Sequence, residues 1–152
     1  MLILMINLAY AQEEISNTIS PDSIFWGLDK AMERIQIAMA GTPEEKIVLR
    51  LKFANERLAE INDMNLKNKP NEALKAEEKR QDEIKDIEAE SSLLPVDKQE
   101  AVLSHLQKHI EVLNTVKENA PEQAQEGLSN ALENSNKAIT RLQERINNKK
   151  GE

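Results

Sequence analysis

The chain has 152 residues, a formal net charge of -7, 31% charged residues, 3% aromatic residues and no cysteine. The acidic balance argues against a nucleic-acid partner, because phosphate binding needs a basic face. The lack of cysteine excludes disulfides, thiolate metal sites and a cysteine nucleophile. A chain of this length suffices for one domain that buries about 68–70% of its unfolded surface. Its richness in Ala, Glu, Lys and Leu favours long helices over sheets.

The first eleven residues, MLILMINLAYA, are uncharged and almost wholly apolar. They end in Ala9-Tyr10-Ala11, an A-x-A pattern typical of a signal-peptide cleavage site, although the usual basic n-region is missing. We interpret residues 1–11 as a signal-peptide remnant, expect a mature chain from Gln12, and predict that residues 12–20 are loose. A buried N-terminal segment and a membrane anchor are the alternatives. The apolar run is far shorter than the ~20 residues of a membrane span, so we expect no stable transmembrane span in the mature chain.

Five prolines divide the remaining chain: Pro21, Pro43, Pro70, Pro95 and Pro121. Each opens a segment of helical pattern, and none falls inside one. Because proline is tolerated in the first turn of a helix and breaks an interior, this spacing predicts five helices. Short connections favour antiparallel neighbours. The predicted fold is therefore all-α, an up-and-down antiparallel bundle of about five helices or a short array of helical hairpins. It spans residues 21–148, with a frayed tail at 149–152.

The second predicted helix, Pro43 to Leu66, is the most apolar segment after the leader. Thr42 and Glu45 form a predicted capping box, and Pro43 occupies the first helical position. Its apolar stripe contains Ile47, Leu51, Ala54, Leu58 and Ile61. Val48, Leu49, Phe53 and Met64 widen the stripe. A wide apolar arc needs neighbours on several sides, so we place this helix near the middle of the bundle.

The first predicted helix runs from about Pro21 to Ala40, with Gly41 as its C-cap. Its predicted core stripe consists of Ile24, Leu28, Ala31, Ile35 and Ala38. We expect Met32 and Met39 to fill the core beside it, with a soft-metal pair as the alternative. We expect Phe25 and Trp26 to close the end of the core, with an exposed ligand patch as the alternative.

The third predicted helix, about Pro70 to Ser92, is charged nearly all round. We predict an outer helix with one thin contact face and otherwise a solvated surface. An acidic surface that collects cations is the alternative interpretation.

The fourth and fifth predicted helices have clear apolar stripes. The fourth runs from about Pro95 to Asn119, with a possible capping box at Asp97 and Glu100. Its stripe contains Val102, Leu106, His109, Leu113 and Val116. The fifth runs from about Pro121 to Asn148, and its stripe contains Ala124, Leu128, Ala131, Ser135, Ala138 and Leu142.

A search for catalytic motifs finds no phosphate-binding loop, no H-E-x-x-H, no G-x-S-x-G and no EF-hand loop. The acids lie mostly in hydrophilic stretches, so no carboxylate pair in a dry pocket is expected. We therefore predict no enzyme activity and no cofactor. His105 and His109, four residues apart on one helix face, are the main candidate metal ligands, with a Glu from a neighbouring helix as the third. They lack a full ligand set, and a buried structural histidine is the competing interpretation of His109.

Two blocks resemble a known family: Pro21 to Ile61 and His105 to Gln143. The most specific parts are P-D-S followed by two aromatics, the T-P-E-E-K helix start, and the KHIEVL run with a proline after it. They are similar to small helical domains of unknown function in bacterial and archaeal extracytoplasmic proteins. Such domains also occur in the outer parts of anti-sigma factors. The resemblance implies an all-helical extracytoplasmic domain and supplies no catalytic residues, and His109 lies in the KHIEVL run.

These observations together favour an exported, non-enzymatic helical domain that is secreted, periplasmic or on the cell surface. We expect it to bind another protein or a component of the cell envelope. The alternative is an extracytoplasmic metal- or ion-binding bundle that uses His105, His109 and acidic residues.

Overall fold

Five α-helices account for most of residues 19–151, the part of the chain that the computed structural model describes. They are α1 (Trp26–Met39), α2 (Pro43–Leu66), α3 (Pro70–Ser91), α4 (Val96–Glu118) and α5 (Glu122–Gly151). These residues contain no strand, and the predicted all-α bundle is confirmed. The predictions for residues 1–18, the leader and most of the loose segment, lie outside the described residues.

Proline and capping residues set most helix starts as the sequence predicts. Pro43 and Pro70 occupy the first turns of α2 and α3, and Pro95 is the N-cap of α4. The capping box of α2 is confirmed. Thr42 Oγ1 accepts the Glu45 backbone N–H at 3.2 Å, while Glu45 Oε2 accepts the Thr42 backbone N–H at 3.3 Å.

Several predicted helix ends are wrong. The C-cap of α1 is Ala40 in an extended conformation, so Gly41 does not serve as the cap. The N-terminus of α4 has no side-chain cap, so Asp97 and Glu100 form no capping box. The start of α1 is also later than predicted, because residues 21–25 form turns and the helix begins at Trp26. At the other end of the chain, α5 continues past residue 148 to Gly151.

Helices α2 to α5 form a four-helix bundle, and α1 packs mainly on α2. Consecutive helices run in opposite directions, which gives two helical hairpins, α2–α3 and α4–α5. The hairpins pack so that α3 and α5 lie side by side and run in the same direction. The evidence is that Gln81 of α3 pairs with Asn134 of α5 and that, seven residues further along both helices, Glu88 pairs with Arg141. In the second pair Arg141 Nε donates to Glu88 Oε1 at 2.8 Å. The bundle thus places α3 between α2 and α5.

The interior of the bundle contains two apolar clusters. The first includes Ile47, Leu51, Ile84, Ile87, Leu106, Leu142 and Ile146. The second includes Leu58, Ile61, Met64, Leu113, Val116, Leu128 and Leu132. The stripes predicted for α2, α4 and α5 supply most of both clusters, so these predictions are confirmed. Burial of such side chains contributes about 1.5–3 kcal/mol each and is the main stabilising term of the fold.

The prediction that α3 is an outer, solvated helix is wrong. Its contact with α2 is the most extensive between any two described helices, and it also packs on α5. Glu77, Arg80 and Glu88 are buried. A helix that is charged nearly all round can occupy this position because ion pairs with each other and with neighbouring helices satisfy its charges.

Candidate functional site

The first helix, α1, exposes its large apolar side chains. Ile24 is 90% exposed, Met39 80% and Leu28 63%. Phe25, Met32 and Ile35 are each about half exposed. We call these six residues, which run along α1 and the turn before it, the α1 apolar face. A contiguous exposed apolar patch on a soluble protein usually marks an interaction site.

The sequence predicts the opposite orientation of α1, and that prediction is wrong. The core residues predicted for α1 are all exposed: Ile24, Leu28, Ala31, Ile35, Ala38, Met32 and Met39. Phe25 does not close the core either, and Trp26 is half-buried. The side of α1 that faces α2 carries Lys30, Glu33 and Ile37. The physical reason is that the two charged residues find buried partners of opposite charge on α2.

Lys30 and Glu33 of α1 join Arg57 and Glu60 of α2 in a buried group that we call the α1–α2 charge cluster. Arg57 Nη1 donates to both carboxylate oxygens of Glu33 at 3.1 Å. Arg57 Nε lies 2.8 Å from Glu60 Oε2. Lys30 Nζ forms an ion pair with Glu33, and Trp26 Nε1 donates to Glu60 Oε2 at 3.2 Å. Because unpaired buried charges are costly, this cluster determines which face of α1 points inward.

The α1–α2 charge cluster and its rim contain more carboxylates than cations, since Asp29 and Glu56 also lie beside it. Burial raises the pKa of Glu33 to about 8, although Lys30 acts in the opposite direction. Burial likewise raises the pKa of Glu60 to about 7 and raises the pKa of Glu56. Near neutral pH the cluster therefore retains protons that isolated carboxyl groups would have lost.

A groove of about 420 Å³ lies beside this cluster, between α1, α2 and α3. On its inner side Arg50 of α2 bridges to α3. Arg50 Nη1 lies 2.8 Å from Glu83 and from Asp86, and its Nε lies 3.1 Å from Glu90. The lining is mostly charged, whereas sites for small organic ligands are mostly apolar. The groove therefore fits a polar contact surface better than a small-molecule pocket.

A second group of buried polar side chains lies between the two apolar clusters of the bundle, and we call it the polar layer. Arg80 of α3 donates to Glu77 at 2.7 and 2.9 Å and to Ser135 Oγ of α5 at 2.7 Å. His109 of α4 is buried at the same level, and burial together with the charge of Arg80 lowers its pKa to about 3. The buried hydrogen bonds of Arg80 with Glu77 and Ser135 favour one register of the helices over others.

His105 and His109, the predicted metal ligands, lie on successive turns of α4. His105 is half-buried and His109 is buried. Within residues 19–151, no group of three or more His, Asp or Glu side chains is arranged to hold a metal ion. The neutral imidazole of His109 suits a metal, whereas the nearby Arg80 guanidinium repels one. Metal binding by these two residues stays a prediction.

Comparison with known families gives one match, to the Domain of unknown function (DUF5667), over residues 18–123. The chain belongs to this family. The family resemblance seen in the sequence is thereby confirmed for residues 18–123. Its matched range ends near the start of α5, yet Leu128, Leu142 and Ile146 of α5 are fully buried. No curated protein and no solved structure gives a significant match.

The described part of this family member has no helix that is both long and apolar enough to cross a bilayer. That finding agrees with the predicted lack of a transmembrane span for residues 19–151.

Sequence reasoning missed the α1–α2 charge cluster. It assigned the acids to hydrophilic stretches, yet Glu33 and Glu60 are buried. One signal was available in the most apolar predicted helix, where Arg57 directly precedes Leu58 of the core stripe. An arginine at such a position needs a carboxylate from a neighbouring element, because an unpaired guanidinium is rarely buried.

Proposed function

We propose that this chain is an exported, non-enzymatic helical domain that acts by binding a protein or a component of the cell envelope. We further propose that the α1 apolar face is its binding surface. The observation that carries the proposal is the orientation of α1, which buries Lys30 and Glu33 and leaves the six large apolar side chains of the face in solvent. Helices that present apolar side chains at regular intervals commonly bind partners through that face.

The buried carboxyl group of Glu33 is engaged in an ion pair, which supports a non-enzymatic role. Glu33 has a raised pKa of the kind that a general acid needs. Both of its carboxylate oxygens are nevertheless engaged by Arg57, and its side chain is buried between α1 and α2. Its raised pKa therefore has a structural cause, the burial of an ion-pair cluster. Export is supported by the apolar leader and by the A-x-A pattern at Ala9-Tyr10-Ala11.

The binding surface can be tested with two matched substitutions. Ile35 on the α1 apolar face is 50% exposed and Val112 on α4 is 48% exposed. A photo-reactive residue replaces Gln36 in three chains: the wild type, Ile35→Glu and Val112→Glu. Each chain is mixed with envelope fractions from the source organism and irradiated. We expect crosslinked products that are lost with Ile35→Glu and kept with Val112→Glu. Crosslinking that is absent, or equal in all three chains, would contradict the proposal.

The alternative function is metal or ion binding through His105 and His109. One observation favours it, because His109 Nδ1 is buried without a hydrogen-bond partner among the described residues. Calorimetric titration of zinc, copper and nickel into the wild-type chain and His109→Ala separates the two functions. Binding that is lost in the variant supports the metal site, and equal, negligible binding by both chains removes it.

A further inference from the structure

We propose that the α1 apolar face is covered by α1 of a second copy of this chain, in a two-fold symmetric dimer. The inference rests on the proposed function, which makes the same face a binding surface, and it names the partner. In a two-fold dimer both copies contribute the same patch, so the patch has to complement itself. Three properties of α1 meet that requirement: the spacing of its apolar residues, the residues that flank them, and the area they expose.

The apolar residues of α1 follow the spacing of a coiled-coil seam. Phe25, Leu28, Met32, Ile35 and Met39 succeed one another at intervals of 3, 4, 3 and 4 residues. This is the alternation of a and d positions over two heptads. It makes a narrower stripe than the wide arc of α2, which has neighbours on several sides. A strict a/d seam packs lengthwise against another helix.

The residues beside the seam suit an identical helix. Ala31 and Ala38 lie on one flank and are exposed, and side chains this small allow two helices to approach closely. On the other flank Asp29 is paired with Lys30 of its own helix at 3.0 Å, and Gln36 is uncharged. Like charges therefore do not face each other across the pair, whether the helices run parallel or antiparallel.

A lipid surface fits this face less well than a second copy does. Helices that lie on membranes use Lys and Arg on their polar side to contact anionic lipid headgroups. In α1 the polar side faces α2, and Lys30 is buried there. The chain as a whole carries a net charge of -7, which opposes association with an anionic surface.

The exposed area is sufficient for a reversible dimer. If a large apolar side chain presents roughly 200 Å² when free, the exposed fractions of the six residues of the face correspond to on the order of 800 Å² per copy. A standard protein interface buries about 800 Å² per partner. The face is therefore large enough to hold two copies together, and small enough for the dimer to dissociate on dilution.

Sedimentation of the full chain over a range of concentrations tests the proposal. We expect the average mass to rise from the 17.2 kDa of one chain towards twice that value. Ile35→Glu places two carboxylates in the dimer interface and should raise the dissociation constant at least about 30-fold. The matched control Val112→Glu should change it less than about twofold. Thermal unfolding of each variant checks that the fold is retained.

Charge pairs across the interface give a second readout. Mixing Ile35→Glu with Ile35→Lys should restore the dimer if the helices run parallel. Mixing Ile35→Glu with Met32→Lys should restore it if they run antiparallel, because a positions then face d positions. The chain has no cysteine, so Met32→Cys adds a single thiol that should crosslink two copies, whereas Val112→Cys should not.

A chain that stays monomeric at the highest concentration reached, with no crosslinking of Met32→Cys, would overturn the dimer. A second result would also overturn the dimer: a Met32→Cys thiol that is protected from modification in a monomeric full chain but reactive in a chain that starts at Gln12. Residues 1–11 would then be the segment that covers the face. If the full chain or the chain that starts at Gln12 still gives envelope crosslinks that depend on Ile35, the dimer is wrong and the proposed function stands. Loss of those crosslinks as well would remove the proposed function.

Discussion

Arg57 of α2 and Glu33 of α1 form a buried ion pair in which Nη1 of the arginine lies 3.1 Å from each carboxylate oxygen. This pair joins the N-terminal helix to the four-helix bundle. Ile37, which is 8% exposed, is the only large apolar residue of α1 in the buried class, so apolar burial contributes little to the docking of α1. The ion pair and its neighbours therefore determine the orientation of α1, and through it the exposure of the apolar face.

Removal of Arg57 should weaken the docking of α1 and the fold as a whole. Arg57→Met removes the donor that Glu33 and Glu60 share. Because their raised pKa values leave part of these carboxyl groups neutral at pH 7, the cost should be about 1–3 kcal/mol, that of buried polar groups left without a partner. Urea unfolding at pH 7 measures the loss. The matched control is Lys137→Met, which breaks the exposed pair with Glu133 on α5. Its unfolding midpoint should stay near the wild-type value, and equal effects of both substitutions would contradict this account.

The docking of α1 should weaken as the pH rises. A carboxyl group whose pKa is raised in the folded state contributes stability below its unfolded pKa, and this contribution is lost as the pH rises through the folded pKa. Burial raises the pKa of Glu60 to about 7 and that of Glu33 to about 8, against an ordinary value of 4.5. Deprotonation then adds negative charge to a cluster that already includes Asp29 and Glu56.

Trp26 reports on this transition because it is the only tryptophan and donates to Glu60. Its emission should shift to the red between about pH 6 and 9, as α1 loosens and the indole enters water. The double variant Glu33→Gln/Glu60→Gln should show no such shift. A wild-type emission that is constant over this range, or the same titration in the double variant, would refute the prediction.

His109 should make the whole fold less stable as the pH falls, which is the opposite pH dependence to that of Glu33 and Glu60. Burial and Arg80 lower its pKa to about 3 from an ordinary value of 6.5. The stability from the neutral imidazole is therefore present above about pH 6.5 and is lost as the pH falls towards 3. Between pH 6.5 and 4.5 the wild-type chain should lose about 2 kcal/mol more than His109→Gln, since one proton corresponds to about 1.4 kcal/mol per pH unit.

Urea unfolding at the two pH values measures this difference. His105→Gln is the control, because His105 is only half-buried and should account for a smaller share of the slope. If the acid dependence of His109→Gln equals that of the wild-type chain, His109 does not titrate as the structure implies.

The last helix should be required for stability although it lies almost wholly beyond the family match. Leu142 of α5 is fully buried in the first apolar cluster. Leu142→Ala removes buried methyl groups and should cost about 3 kcal/mol in the free energy of unfolding. Leu93→Ala, at an exposed leucine between α3 and α4, should change it by less than about 0.5 kcal/mol. Thermal and urea unfolding measure both, and a neutral Leu142→Ala would mean that α5 is not part of the core.

Much of the bundle could be predicted from the sequence because its signals are local. Pro43 and Thr42 act within one helical turn, so the start of α2 follows from neighbouring residues alone. The stripes of α2, α4 and α5 are also local patterns, and each finds its partner within the chain. His109 could be placed on a buried stripe, but its pKa depends on Arg80 from another helix.

The orientation of α1 could not be predicted in the same way. A 3,4 spacing indicates one apolar face and does not say whether the partner of that face is the core or another molecule. The decision depends on Glu33 meeting Arg57 and on Lys30 meeting Glu60, which are contacts between residues 24 and 30 positions apart in the chain. The same reason explains the error for α3, whose charges pair with residues of α2 and α5. In both helices long-range ion pairs override the interpretation of charge as a solvated surface.

The central claim is that α1 docks with its charged side inward and its apolar side outward. Oxidation of the native full chain by dilute hydrogen peroxide, followed by peptide mass spectrometry, tests it without any substitution, because methionine oxidation depends on exposure. Met32 and Met39 lie on the α1 apolar face, whereas Met64 is fully buried in the bundle. At concentrations low enough to keep the chain monomeric, Met32 and Met39 should oxidise at least about tenfold faster than Met64. Protection of Met32 and Met39 equal to that of Met64 would show that the apolar side of α1 is buried and would contradict the account.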